Sequence, residues 1–443
     1  MASYMYKVLG TPTGTTKNTL SVWIKRSRLG LGSVDNALVF GNSNAGGINL
    51  HSDDGVVFYN ASGTLRTSGY RKLRDTSAWY HIVVTTDTTL STADDRLKMY
   101  INGVQETNFS NRVNPSQNAT SDLGSASEHI IGATNSPSNY YDGLMSHVQM
   151  VDGLALAPTE FGSTDATTGE WKIKTSSYGT LGNNGFHITF DNPADIGAST
   201  NSNNFTPNAN LKPTQDNPSN NFATLNGVTK GSSSTYSQGN LTATTAGAVY
   251  NTSVSSIGVT QGKWYWEVKL GNSGGSGGVV NYSQYGITTD NPTNVANLAA
   301  ETVKHTYIKI AYGSEFRYNE TGGSSTTING YGSTNSGNDI VMMALDLDNN
   351  YLYMGVNGTW YNSGNPTSGS SGTGAAPRQM VSGLTYFPCF INSYGTSIQA
   401  NFGNGYFGTT AVASAGTNAS GNGIFEYDVP TGYTALSTKG LNL

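Results

Sequence analysis

Cysteine is nearly absent: Cys389 stands alone among 443 residues, so no intrachain disulfide can staple the fold. Charge is also scarce, at 12% Asp, Glu, Lys and Arg against a usual ~25%. The net charge is −5, which argues against a nucleic-acid partner, since binding phosphates takes clustered Lys and Arg. The densest basic stretches, Lys25–Arg28 and Arg66–Arg74, are short and read as solvated strand or loop faces. No apolar run approaches the ~20 residues of a membrane span. The N-terminal MASYMYKVLGTPTGTT lacks the roughly 7–15-residue apolar region of a secretory signal. The chain is therefore expected to be made in the cytoplasm without export and without membrane insertion. Helical periodicity is scarce too. Only Ala157–Phe161 in VDGLALAPTEFG and Asn294–Glu301 in NPTNVANLAAE suggest a turn or two of helix.

What is present is Gly, at 55 residues, and Tyr, at 26, with 10% aromatics overall. That aromatic content and the low net charge exclude general disorder. Short β-branched and aromatic runs bounded by Gly, Asn, Asp and Ser recur along the chain. They include Thr19–Lys25, Ala37–Gly41, Gly47–His51, Val56–Asn60, Trp79–Thr86, Leu97–Ile101, His129–Gly132 and Gly143–Val151. Many short strands at such spacing predict an all-β fold of antiparallel sandwiches. Asn102-Gly103 and Asn357-Gly358, each between alternating runs, predict tight hairpins because both central residues need φ > 0. The Asn-, Ser-, Thr- and Pro-rich stretch at 192–236 shows little periodicity and reads as a connector, with Phe205, Phe222 and Leu225 as candidate anchors. The expected domains are 1–191 and 237–443, each long enough to bury its own core. The loops at Gly364–Ala376 and Ala413–Gly423 do not read as boundaries.

The runs TLSVWIKR, WYHIVVTTD, DRLKMYINGVQE, HIIGA and YYDGLMSHVQMVDG, in that order, resemble the laminin-G-like, concanavalin-A-like jelly rolls. The resemblance covers about residues 1–191 if GFHITF (Gly185–Phe190) returns to complete a sheet. Residues 237–443 resemble a SPRY-type domain through GKWYWEV (Gly262–Val268), YGIT (Tyr285–Thr288), DIVMMALDLDNNYLYMGVNGTW (Asp339–Trp360), YFPCFINSYGTSIQANFG (Tyr386–Gly403) and FEYDVPTGYTAL (Phe425–Leu436). Alternation in KWYWEV puts Trp264 and Trp266 on one face, expected to be the core face. Asp346 and Asp348 read as turn formers rather than metal ligands. The SPRY resemblance implies a protein- or peptide-binding scaffold whose contacts lie in variable loops. The run Asp152–Lys174, followed by NNGFHITFDN, NNFTPN and NPSNNFATLN, resembles predicted structural proteins of marine and cyanobacterial phages.

Catalytic signals are missing. Glucanases of the concanavalin-A-like type place E-x-D-x-x-E on one strand, so that alternate carboxylates share a cleft. Here nine Glu are scattered, and the pairs Asp53-Asp54 and Asp94-Asp95 are adjacent, so on a strand they would face opposite sides. None of the six His has metal-finger spacing, and His81 in WYHIVV reads as structural. No nucleophile elbow is present, and Cys389 in FPCFI reads as inert core. The jelly-roll resemblance leaves calcium open as a cofactor, with Asp53, Asp54 and Asp142 as loop candidates. Tyrosines in polar, Gly-rich settings are the other lead. Tyr140, Tyr141, Tyr59, Tyr331, Tyr361 and Tyr394 are the candidate ligand-binding residues, and Tyr70 shares the setting.

The expected function is that of a non-enzymatic adhesin on the exposed surface of a bacteriophage virion, on a tail fibre or other appendage, binding host-surface glycan or protein. Its partners would be other virion proteins and further copies of itself, a trimer by analogy with phage fibres. The alternative is a capsid-decorating or connector protein whose sandwiches serve assembly. A depolymerase of the host envelope is the least favoured reading.

Overall fold

The computed structural model describes residues 3–442 except 31–35, 42–45, 68, 135–138, 209–210, 229, 232, 248–249, 272–282 and 290–303. Two compact units emerge, residues 1–213 with 217–219, and residues 214–216 with 220–443. Both are all-β, and among the described strands the sheets are antiparallel apart from the short parallel pairing of Thr434–Ala435 with Lys263–Leu270. No helix among the described residues is long and apolar enough to cross a membrane.

In the first unit an eight-stranded sheet runs Asn111–Val113, Gly63–Arg66, Val56–Asn60, Gly46–Leu50, Asn36–Gly41, Glu128–Ile131, Met5–Val8, Thr206–Pro207. It faces a six-stranded sheet ordered Phe186–Ile188, Gly143–Asp152, Lys17–Arg26, Trp79–Asp87, Leu97–Ile101, Val104–Gln105. GFHITF thus returns to complete the sheet, as an edge strand beside Gly143–Asp152. The core between the sheets takes alternate residues such as Leu20, Val22 and Ile24, and Ile82 and Val84. The intervening residues of the six-stranded sheet face outward, yet they are buried as well. A layer carrying Phe161 and Leu181 covers Val83 and Val151.

Trp171 belongs to that covering layer. Its ring stacks with His81, with ring centroids 6.0 Å apart, and His81 stacks on Trp23 at 4.5 Å. The Trp171 Nε1–H donates to His81 Nδ1 at 2.9 Å. The expected Asn102-Gly103 hairpin is present, with φ of +48° and +78°, and its glycine lies directly under the Trp171 ring. A Cβ at Gly103 would stand 2.4 Å from Trp171 Cε3. Gly103→Ala is therefore expected to destabilise the first unit by about 2–4 kcal/mol, from a strained backbone and an undocked indole. Thermal unfolding checks this, and a wild-type melting curve would mean that the indole does not need the glycine.

In the second unit the larger sheet runs Ser234–Ser237, Thr242–Thr245, Ser397–Asn401, Lys263–Leu270, Ile340–Asp346, Tyr351–Val356, Thr359–Trp360. The facing sheet runs Asn251–Val254, Phe387–Asn392, Gln284–Thr288, Thr306–Ile310, Glu315–Asn319, Thr326–Asn329. Trp264 and Trp266 share the core between them, while Tyr265 on the opposite face is buried under Phe425, Val429 and Tyr433. Asp346 accepts the backbone N–H groups of Asp348 and Asn349, the turn-forming role read from DLDNN.

Residues 192–236 are divided between the units rather than standing apart. Phe205 sits in the first core and Thr206–Pro207 pairs with Met5–Val8. Phe222, Ala223 and Leu225 are buried in the second unit, and Ser234–Ser237 forms its first strand. The polar composition serves local hydrogen bonding: Asn204 caps the Ser199 N–H, and Asn203 donates to Asn183 O. The Ala157–Phe161 signal becomes a short 3₁₀ turn at Pro158–Glu160. The Asn294–Glu301 signal lies outside the described residues.

Candidate functional site

One rim of the first unit gathers most of the candidate residues. Its frame is the pairing of Gly143–Asp152 with Lys17–Arg26, which sets Gly143 opposite Arg26. Tyr140, Tyr141 and Asp142 lead into the first strand just where Lys25–Arg28 leave the second, and Ser27 N–H donates to Asp142 O at 3.1 Å. The chains pass so closely that a Cβ on Gly143 would lie 2.3 Å from Lys25 O. Glycine after Asp142 is thus a steric requirement.

Among the described residues Asp53, Asp54 and Asp142 are not grouped as a metal site, and Asp54 is paired with arginines. Asp54 is buried, with Oδ1 3.0 Å from Arg26 Nη2 and Oδ2 3.0 Å from Arg74 Nε. Gly30 N–H also donates to its Oδ1 at 2.9 Å. Burial pushes the Asp54 carboxyl up, but the Gly30 N–H and the two guanidiniums outweigh it and hold the group below the usual carboxylate range. Asp53 receives His51 Nδ1 at 2.8 Å and the backbone N–H groups of Gly55 and Gly69. Burial raises the Asp142 carboxyl, with Arg28 as the opposing charge. Among the described residues, no group of three or more His, Cys, Asp or Glu side chains converges in a way that could hold a metal ion.

The tyrosines separate into two classes. Tyr140 lies 6.2 Å from Tyr4 between ring centroids, and Tyr4 lies 6.4 Å from Tyr6. Tyr6 is 39% exposed and Val8, next on the same strand face, is 68% exposed. Met5 and Leu9 alternate with them into the core. The result is an outward cluster of three aromatic rings on the eight-stranded sheet, at the strand next to its Thr206–Pro207 edge. Sequence reasoning found Tyr140 and missed Tyr4 and Tyr6. The alternation Tyr4, Tyr6, Val8 against Met5, Leu9 was the available signal. Tyr141 turns inward, its hydroxyl donating to Lys25 O at 2.9 Å. Tyr59 is half-buried, opposite Thr64 on the neighbouring strand.

Two tyrosines of the second unit correct the expectation outright. Tyr331 and Tyr361 are core residues, not loop tips. Gly330 and Gly332, at φ +91° and +73°, turn the chain so that Tyr331 points inward. Its ring meets Tyr361 edge-on at 5.8 Å. The Tyr361 hydroxyl joins Tyr285 and Asn335 in a buried network, with Asn335 Nδ2 donating at 2.8 Å. Glycine flanks look loop-like in sequence, and here they serve to drive a ring into the core. Tyr394 remains on the surface at 43% exposure.

The second unit also buries a carboxylate that the sequence did not flag. Glu267 accepts from Tyr265 OH and from the backbone N–H groups of Glu426 and Tyr427, at 2.8–2.9 Å. Burial pushes its carboxyl up to about 7, against the pull of those donors. Asn401 Nδ2 approaches its Oε2 at 3.5 Å as well, so all of its donors come from the folded chain and the geometry is that of an anchor for residues 426–427.

Residues 6–160 match the family model of the concanavalin A-like lectin/glucanases superfamily of laminin-G type. Among solved structures, the chain is similar to the SPRY domain of human HERC1, at 15% identity and a TM-score of 0.31, covering 40% of this chain and 96% of that one. It is also similar to the TRIM65 PSpry domain, at 11% identity and a TM-score of 0.28, covering 40% of this chain and 91% of that one. No curated protein matches the chain.

Proposed function

We propose that this protein is a non-enzymatic adhesin carried on the exposed surface of a bacteriophage virion, and that its first unit contacts glycan or protein of the host envelope. The observation that carries the reading is the outward cluster of Tyr4, Tyr6 and Tyr140. A tyrosine ring offers an apolar face to sugar C–H groups or side chains, and its hydroxyl offers a hydrogen bond at low entropic cost. Asp53 and Asp54 do not suit glycoside hydrolysis, which takes one group free to attack or accept a proton and one held protonated. Asp54 is committed to Arg26 and Arg74, and Asp53 to His51 and two backbone N–H groups. The virion placement is supported by the phage-like run Asp152–Lys174 and the stretches that follow it. Several copies on one particle would convert weak single sites into firm attachment.

Tyr6→Ala combined with Tyr140→Ala is expected to weaken binding to intact host cells by about tenfold or more, in line with losing two aromatic contacts, without moving the melting temperature. Unchanged binding would remove the cluster from the account. Imaging of intact particles tests the placement. Density at a tail or fibre end with the first unit's rim outward supports the adhesin. Density confined to the capsid shell would instead favour an assembly role.

A further inference from the structure

Seven of the chain's 23 basic residues fall in two short stretches, Lys25, Arg26 and Arg28 in one and Arg66, Arg71, Lys72 and Arg74 in the other. Each alone reads as an ordinary solvated face. The fold brings them together. Arg26 Nη1 donates to Leu73 O at 2.6 Å, and Arg26 and Arg74 share the Asp54 carboxylate. In a chain of net charge −5 this brings Arg28, Arg71, Lys72 and Arg74 to one rim, where residues 140–142 lead into Gly143–Asp152.

The pairs on this rim are layered. The Asp54 and Glu106 side chains are only 5% and 10% exposed, while their partners Arg74 and Arg71 are 59% and 41% exposed. The carboxylates lie beneath and the guanidiniums lie outward. Arg74 meets Asp54 through Nε and keeps most of its side chain exposed. Arg28 is exposed, and Tyr70, at 66%, stands among the cations. Lys72 lies 3.9 Å from Asp53, too far for a tight pair. Two acids of the group reach the surface: Asp75, whose carboxylate caps the Ser77 N–H and hydroxyl, and Asp53, which is taken up by His51 and two backbone N–H groups. The buried carboxylates hold the guanidiniums in place on the outer side of each pair. A planar guanidinium set in this way suits bidentate contact with carboxylate or phosphate oxygens.

We infer that this rim selects an anionic surface glycan, one bearing carboxylate or phosphate groups, through Arg28, Arg71, Lys72 and Arg74, with Tyr70 stacking against a sugar ring. The inference rests on the reading of the first unit as a recognition module, and it adds the charge of the ligand.

The test uses the full chain against three immobilised polysaccharides: one rich in uronic acids, one carrying phosphodiesters, and neutral dextran. A duplex DNA oligonucleotide serves as a fourth probe. Binding to one or both anionic glycans is expected to exceed binding to dextran by tenfold or more, and the stronger arm identifies the group recognised. Raising the salt from 50 to 300 mM is expected to weaken that binding by about tenfold. Arg28→Ser combined with Lys72→Ser leaves the Asp54 pairs intact and should lower affinity about tenfold at unchanged melting temperature. Equal, salt-insensitive binding to dextran would overturn the charge inference while leaving the adhesin reading in place. DNA bound as tightly as the glycans would overturn the glycan assignment. If all four probes stay unbound while whole cells are bound, the anionic assignment falls. If cells are not bound either, the adhesin reading falls with it.

Discussion

Acidification from pH 7 to pH 5 is expected to destabilise the first unit by about 6 kcal/mol, about 2 kcal/mol for each of three buried histidines. Burial, with His147 adding to it, lowers His81 to about 3. Burial lowers His129 to about 4 against the Ser127 hydrogen bond, and burial with His147 lowers His187 to about 4 against Asp191. The geometry supplies the reason for two of them. His81 Nδ1 accepts the Trp171 N–H, and His129 Nε2 accepts the Gly124 N–H at 2.9 Å. A proton on either nitrogen would face a donor. All three folded values lie below the unfolded value of 6.5, so the unfolded chain binds more protons. The stability is complete above pH 6.5 and is lost as the pH falls toward the folded values. Asp122 and Asp142, whose carboxyls burial raises, offset part of the loss.

The second unit should move the other way. Glu267, raised to about 7 from 4.5, contributes stability that is present below pH 4.5 and lost as pH rises through 7. Acidification to pH 5 therefore favours that unit by about 2 kcal/mol. Amide hydrogen exchange separates the two. Protection of Trp79–Asp87 should fall at pH 5 while that of Lys263–Leu270 holds or rises, after correction for the intrinsic exchange rate. Parallel loss in both units would contradict the assignment of these groups.

Asp54→Ala is expected to cost the first unit about 3–5 kcal/mol, because it leaves the Arg26 guanidinium buried without its counter-ion. The Arg26 side chain is 1% exposed, and among the described residues the backbone carbonyls of Leu73 and Arg28 would remain to meet it. Asp53→Asn, at a half-exposed carboxylate, should cost under about 1 kcal/mol. Urea unfolding, followed by hydrogen exchange within Lys17–Arg26, measures both. The same experiment decides between arginine and calcium at this rim. With arginine as the partner, EDTA or added calcium leaves the midpoint unchanged. A chelator that brought the wild type down to the Asp54→Ala midpoint would mean that a metal does the work assigned here to Arg26 and Arg74.

Local chemistry was readable in the sequence, and long-range register was not. Asn102-Gly103, the Trp264/Trp266 alternation and the Asp346 turn depend on residues within a few positions of one another, and the structure agrees with each. The rim depends on Gly143 pairing with Arg26 and on Arg26 reaching Leu73. No local pattern encodes those meetings, so two basic stretches read as unrelated solvated faces and three Asp read as calcium ligands. Tyr331 and Tyr361 failed for a different reason. Composition marks a Gly-rich segment as surface, but for Tyr331 a positive-φ glycine on each side is also a way to aim the ring inward, and Tyr361 is held in the core by the hydroxyl of Tyr285 and the amide of Asn335. The stretch at 192–236 shows the same limit. Its polar residues satisfy their own backbone while its scattered Phe and Leu anchor it to whichever core is near.

Binding of the purified full chain to isolated host-envelope polysaccharide, with the polysaccharide recovered and sized afterward, tests the central claim most directly. The account predicts saturable binding that the Tyr6→Ala/Tyr140→Ala pair weakens by about tenfold or more, and a polysaccharide recovered at its original length. Shortened chains with new reducing ends would contradict it and make the protein an enzyme. Binding that is indifferent to those tyrosines would move recognition away from the first unit's rim.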